Sequence, residues 1–472
     1  MSTLTALARA QAFSVGRAVP IATVRHLHVH DRPLVLIPLA MAGEANAPLA
    51  AMVGSSSADP ALLIVAQPRN RDQRFAFAAA LSEILVSYVD SFTGVAEPVA
   101  VDRGRDVRFR FVDAPQLWVP NTGGVDFLWL FGRSTRFRNV DGDNAVPASV
   151  PLLGRWLTFF AGTAEVPGSS LLLNAVQALG LHWATGQSSA EDAHLASLLA
   201  WIASGLPAAR AAEGDPPAGP ATDPEFDNTV LAPLISAEPP DVAELTAVLR
   251  AALAPTWEQM WRTLDLLRAL PAGVRVASRW DTDRDAFSAF AQHLADGGPP
   301  QPRRDGAVAA AARLQRLENA ASRYAVQRAF DDPLVMAEYR LTGAAFAGEV
   351  ILADADRIDD SGKRPVLRPR IMVRTPEPVR VVPGTALTSP ARPTQKATVV
   401  STTPVDGERT DVLLELSGGM GRKLVAEPGS VPAVGERLVL TTLSEAYRPA
   451  GAFPDPADTP WTHGGPPVAG SL

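Results

Sequence analysis

The feature that most constrains this chain is a switch of hydrophobic period near Pro333. Between residues 151 and 330 apolar side chains recur every three or four positions, which gathers them on one face of a helix. After residue 345 they alternate, or run together in short β-branched stretches, as strands require. A helical pattern does not serve as a strand, so the two regions fold as different architectures. At 472 residues the chain also exceeds the size at which one core keeps growing, so more than one domain is expected. The fold class read from these patterns is multidomain α+β, with a mixed α/β N-terminal domain, a helical middle and a small antiparallel β-barrel or sandwich at the C-terminus.

Punctuation by 42 prolines and 35 glycines sets the expected boundaries. Residues 1–150 read as the mixed α/β domain: 61–66 is a short buried strand, and Phe77, Leu81, Ile84, Leu85 and Tyr88 mark the helix after it. Val107, Phe109 and Phe111 alternate with Arg108 and Arg110 as a half-exposed strand, and 127–131 reads as another buried strand. Residues 151–205 read as helical, with Ser188 and Glu191 as a capping box for the stripe Leu195, Leu198, Leu199 and Ile202, and a stop at Gly205. Residues 206–226 read as a linker, and 227–332 as a helical domain ending in a long helix over 307–330. Within that domain Leu245 to Leu253 form one stripe, and Thr256 with Gln259 caps a second helix bearing Trp257 and Trp261 on its core side. Residues 333–448 hold five strand runs, and 449–472 read as a flexible tail.

The absence of cysteine excludes disulfides, thiolate metal sites, iron–sulfur clusters and cysteine nucleophiles, so any metal would need His, Asp or Glu. The most apolar run, 34–42, is short and contains Pro38, so no membrane span is expected. Residues 1–20 carry Arg9 and Arg17 but lack the compact apolar run of a signal peptide, and the expected location is cytoplasmic. The Ala, Arg and Pro bias, with lysine confined to Lys363, Lys396 and Lys423, points to a GC-rich bacterial genome. A net charge of -7 argues against a protein coated in nucleic acid or anionic lipid and leaves room for a local basic patch.

Three clusters carry chemistry. His26, His28 and His30 alternate, so on a strand their imidazoles share one face as metal ligands do; an exposed polar strand face is the alternative. Arg69, Arg71 and Arg74 lie between a strand and the helix it feeds, a place that attracts anions unless Asp72 or another acid pairs them. Lys363, Arg364, Arg368, Arg370, Arg374, Arg380, Arg392 and Lys396 reverse the sign of the protein's charge locally, and period two sends Arg368, Arg370 and Arg374 outward while Leu367, Ile371 and Val373 point inward. Arg313, Arg316 and Arg323 form a stripe on the preceding helix that would extend this basic face along a phosphate backbone; a merely solvated face is the alternative. Residues 417–423 superficially look like a phosphate loop but lack its spacing and read as a hairpin turn, and no nucleotide-binding, zincin or nucleophile-elbow motif implies a cofactor.

The order of a long helix followed by a Pro-punctuated β-module, from Phe346 through Pro383-Gly384-Thr385 to Gly435-Glu436-Arg437-Leu438, resembles the stalk and small β-barrel inserted in superfamily 1 helicases of the RNA-surveillance type. The resemblance covers residues 307–442 and implies a barrel that contacts nucleic acid and tunes a motor. The Walker A and B motifs are absent, so it does not extend to ATPase activity. The expected function is a non-catalytic subunit or adaptor of a bacterial helicase- or nuclease-type assembly, with DNA or RNA backbone and a motor or nuclease as partners. A structural or protein-interaction scaffold is the alternative, and a metal-dependent hydrolase built on the three histidines the third.

Overall fold

The computed structural model describes residues 2–44, 47–101, 105–216, 219, 221–237, 241–405, 407–421, 423–445 and 451–454. It divides into two compact units, one built from residues 5–321 and the other from 322–449. Helices and strands mix in the first, helices dominate the middle, and a closed antiparallel barrel of six strands stands in the C-terminal region.

After a helix at Thr3–Val15, the larger unit forms an antiparallel meander, β1 (Leu34–Ala40), β2 (Pro48–Gly54) and β3 (Ala61–Ile64), followed by helix α1 (Arg71–Asp90). A separate ribbon, β4 (Ala96–Val101) with β5 (Asp106–Phe111), precedes β6 (Leu117–Val119), α2 (Thr122–Thr135), α3 (Ser149–Ala164) and β7 (Leu172–Asn174). The sheet runs β3-β2-β1-β6-β7, with β1, β6 and β7 parallel. Helices α4 (Leu195–Ala203), α5 (Leu206–Ala212), α6 (Val242–Arg268) and α7 (Val276–Ala295) follow, and α8 (Ala307–Asp331) closes the helical region.

All seven residues of β1 are buried, because both faces of the sheet are covered. Leu34, Leu36 and Ala40 join a core with α1, α2, α3 and the Trp280 and Phe287 side chains of α7. Val35, Ile37 and Leu39 point the other way, into a core with Trp118 and with Leu245, Leu249, Trp257 and Met260 of α6. The division expected at residue 150 is therefore absent: β7 completes the same sheet and α7 the same core. Pro38 is tolerated in this central strand because β6 pairs with β1 at Leu34 and Val35 alone. Beyond that point Gly219 and residues 221–222 take the edge: the Thr222 N–H donates to the Ala40 carbonyl at 3.0 Å, and a Cβ on Gly219 would lie 2.4 Å from the Pro38 oxygen.

Several local expectations change. Residues 127–131 lie within α2, started by Asn121, whose side chain accepts the Gly124 N–H; a short apolar run cannot by itself distinguish helix from buried strand. Strand β3 is an edge strand and only partly buried. The Ser188–Glu191 capping box is present but starts a separate four-residue helix, and His194 caps α4. Thr256 does not open a helix, since α6 runs through Pro255 without ending. The first part of the expected linker is α5, whose Ala209 is fully buried. Leu314, expected on the apolar face of α8, is 58% exposed. Of the tail expected at 449–472, only 451–454 fall within the described residues. No described helix is long and apolar enough to cross a membrane.

In the smaller unit, α9 (Pro333–Thr342) ends at Gly343, in the left-handed region at φ 79°, and leads into the barrel. Its strands are β8 (Ala345–Asp354), β9 (Arg370–Thr375), β10 (Ala386–Ser389), β11 (Arg392–Pro404), β12 (Thr410–Ser417) and β13 (Arg437–Thr441). They close in the order β8-β9-β12-β11-β10-β13 around Phe346, Val350, Ile371, Val373, Val399, Leu414 and Leu440. Strand β10 is absent from the sequence reading, since a four-residue strand carries little periodicity. Residues 418–421 form a turn with Gly418, Gly419 and Gly421 at positive φ, but it opens a long connection to β13 rather than a hairpin.

Helices α2 and α3 cross through glycines. A Cβ on Gly154 would stand 2.3 Å from the Arg136 nitrogen and 2.5 Å from Thr135 Oγ1, and one on Gly132 would stand 2.8 Å from Thr158 Oγ1. Gly154→Ala therefore forces the helices apart and is expected to cost about 2 kcal/mol or more of stability in chemical denaturation. An unchanged unfolding midpoint would contradict this packing.

Candidate functional site

The barrel arginines do face outward as alternation requires: Leu367, Ile371 and Val373 are buried while Arg368, Arg370 and Arg374 are half-exposed. Register then decides their charge. Strand β9 pairs with β12, placing Arg370 opposite Glu415 and Arg374 opposite Asp411. Arg370 bonds Glu415 at 3.1 Å, a carboxylate shared with Arg357 at 2.8 Å. Arg374 grips Asp411 through two bonds of 2.7 and 2.8 Å, and Arg392 grips Glu436 at 3.0 and 3.2 Å. Arg313 on α8 pairs with Glu165 and Asp305. The continuous basic face expected around Arg370 is thus interrupted by a carboxylate at each of these positions. Lys363, Arg364, Arg380 and Lys396 are exposed and make no ion pair among the described residues, as do Arg316 and Arg323 on α8; Arg368 donates to the Leu367 carbonyl.

A cleft of about 570 Å³ lies in the barrel wall, lined by Arg340, Arg374, Arg409 and Arg437 together with Glu349 and Glu377. It forms where β8 parts from β9. Glu377 covers the open edge, accepting the Ala347 N–H at 2.8 Å and the Arg340 guanidinium, while Thr375 Oγ1 donates to the Ala347 carbonyl at 2.7 Å. Burial raises the Glu377 carboxyl, but the Arg340 and Ala347 hydrogen bonds outweigh it and hold it below its usual range. Arg340, Arg409 and Arg437 were not evident as site residues from the sequence, because they sit on three separate elements without local clustering.

The three histidines do alternate, with Leu27 and Val29 pointing into the core behind them. Their face is neither exposed nor a common metal site. The His26 N–H donates to His182 Nε2 at 3.1 Å, and His28 stacks on Trp280 with ring centroids 4.0 Å apart. His30 Nδ1 accepts the Arg32 N–H, so its Nε2 carries the proton given to Asp113 Oδ2 at 2.9 Å. No group of metal-ligating side chains is found among the described residues. Gln116 ties this region together: its oxygen accepts from the His30 N–H and Trp118 Nε1, and its amide nitrogen donates to the His28 and Ser170 carbonyls. These bonds satisfy the buried backbone of residues that enter β1 and β7 without a strand partner.

Two of the three arginines at the start of α1 are likewise engaged. Arg69 reaches Glu44 at 3.0 Å, and Arg71 pairs with Asp72 at 2.9 Å and donates to the Asn144 carbonyl. Asn70 caps the helix by accepting the Asp72 and Gln73 N–H groups. Arg74 makes no ion pair among the described residues.

Comparison with protein-family models, curated proteins and solved structures returns no match.

Within the larger unit, Asp283 of α7 is 5% exposed and accepts the Ser170 N–H at 2.7 Å. Burial pushes its carboxyl up to about 7, against the opposing hydrogen bonds of Ser170 and Ser169 and the charge of Arg279. Burial also pushes the neighbouring His28 down to about 4, aided by His30 and Arg25. The folded chain therefore keeps a proton on Asp283 that the unfolded chain loses near 3.8, and stability falls as pH rises from about 4 to 7. His28 acts in the opposite sense, costing stability as pH falls from 6.5 towards 4. Asp283→Asn removes the first slope alone. Denaturation across pH should show the variant gaining about 4 kcal/mol on the parent between pH 4 and 8. A difference independent of pH would contradict the assignment.

Proposed function

We propose that the protein is a non-catalytic adaptor that binds the phosphate backbone of nucleic acid, within a helicase- or nuclease-type assembly. The observation that carries this reading in the barrel is the cleft, where Arg409 and Arg437 stand with Glu349 beside the Arg340–Glu377 and Arg374–Asp411 pairs, so that four arginines meet three carboxylates. Guanidinium groups suit phosphate because their planar fork donates two parallel hydrogen bonds. Exposed Lys363, Arg364, Arg380 and Lys396 add unpaired charge to the same module. The paired arginines at 370, 374 and 392 contribute less, because each must leave a carboxylate before it meets a phosphate.

A second reading, a protein-interaction scaffold, is favoured by the ribbon of β4 and β5. There Phe109 is 72% and Val107 54% exposed, an apolar face with little of the protein covering it.

Titration of the full chain with labelled single- and double-stranded oligonucleotides separates the two. Backbone binding predicts an affinity whose logarithm falls linearly with the logarithm of salt concentration, and a weaker affinity in Arg409→Ala/Arg437→Ala. No binding to either oligonucleotide at low salt would overturn the nucleic-acid reading and leave the scaffold.

A further inference from the structure

The larger unit holds a cluster of arginines that no carboxylate among the described residues pairs. Arg133 lies in the last turn of α2, Arg136 and Arg138 follow it, and Arg303 and Arg304 arrive from the connection between α7 and α8. Buried Arg136 joins the two segments, donating to the Gln301 carbonyl at 2.9 Å and the Pro302 carbonyl at 3.0 Å. Arg133 donates to the Arg303 carbonyl at 3.4 Å. Among the described residues none of the five makes an ion pair, and Arg133, Arg138, Arg303 and Arg304 are exposed. Asp72 pairs with Arg71 and Asp305 with Arg313, while Asp141 and Asp143, which follow Arg138 in the chain, are exposed.

Aromatic rings run through the cluster. Arg133 lies 5.1 Å over Trp129, Arg136 and Arg303 each 4.9 Å over Phe137, and Arg138 and Arg71 at 5.3 and 4.7 Å over Phe75. The guanidinium planes are thereby held in place rather than left to swing in solvent. The end of α2 favours cations through its dipole, which accounts for Arg133 and Arg136. It does not account for Arg303 and Arg304, which the Arg136 bonds bring to the same place from a distant part of the chain. Like charges so gathered repel: burial first, and then Arg133 and Arg303, depress the Arg136 guanidinium.

We infer that this surface is a second, independent contact for the phosphate backbone of nucleic acid, built from Arg133, Arg138, Arg303 and Arg304 and positioned by Arg136. Fixed, stacked guanidinium groups among aromatic rings suit a strand whose phosphates and bases alternate better than a fluid anionic membrane, which needs no such order. The inference takes its ligand class from the proposed function but not its evidence, since no barrel residue enters it.

The test uses the full chain and an arginine-to-alanine quadruple variant at 133, 138, 303 and 304, sparing buried Arg136. Unchanged unfolding of the variant confirms that folding is intact, and ultraviolet cross-linking of a bound oligonucleotide to the wild type reads the contact without any substitution. The expected result is binding at least tenfold weaker at low salt, a salt slope lower by about three, and cross-links on the peptide carrying Trp129 and Phe137. Wild-type affinity and slope in the variant, with cross-links confined to the barrel, would overturn this inference and leave the proposed function standing. No binding by the wild type would remove both. Binding to vesicles of anionic phospholipid, lost in the variant, with none to oligonucleotides, would assign the surface to a membrane and overturn it equally.

Discussion

The larger unit depends on one strand being buried on both of its faces. β1 has no exposed residue, so its side chains alternate between two cores, and every helix of the unit that packs on the sheet does so to cover one or the other. That demand explains features that look unrelated. It requires a helical layer from beyond residue 150, and it draws Trp280 and Phe287 of α7 back to the first face. It also requires Gly219 and residues 221–222 to complete the edge where β6 leaves Pro38. The histidines lead into this strand, and burying an irregular approach obliges Gln116, Asp113 and Ser170 to answer its polar groups. Their arrangement is the consequence of a buried entry to a buried strand.

Charge follows a different rule in each unit. In the barrel, antiparallel register sets outward arginines on β9 against outward acids on β12, and such cross-strand pairs contribute a few tenths to about 1 kcal/mol each. The arginines beyond α2 face aromatic rings and carbonyl oxygens instead of carboxylates. A carboxylate satisfies a guanidinium and discharges it; a ring or a carbonyl holds it in place and leaves its charge available.

Much of the fold was legible in the sequence and part of the site was not, for a physical reason. Period marks elements, so α8 and five of the barrel's strands stand close to where their patterns placed them. The inward and outward sides of β9 also followed from alternation. Pairing between elements leaves no such trace. That Asp411 and Glu415 stand opposite Arg374 and Arg370 depends on which strand lies beside β9, and nothing local to either segment encodes it. The same limit hid Arg303 and Arg304 from Arg133, more than 160 residues away along the chain. Period also failed where it was ambiguous, as at 127–131, and where capping residues occurred without a helix start, as at Thr256.

The central claim is that arginines without carboxylate partners hold the ligand while paired arginines hold the fold. The most direct measurement compares two alanine variants for both stability and oligonucleotide affinity: one at the paired positions 370, 374 and 392, the other at 133, 138, 303 and 304. The account predicts that the first variant loses stability and keeps most of its affinity, while the second keeps its stability and loses affinity. Equal loss of affinity in both, or loss confined to the paired set, would contradict it.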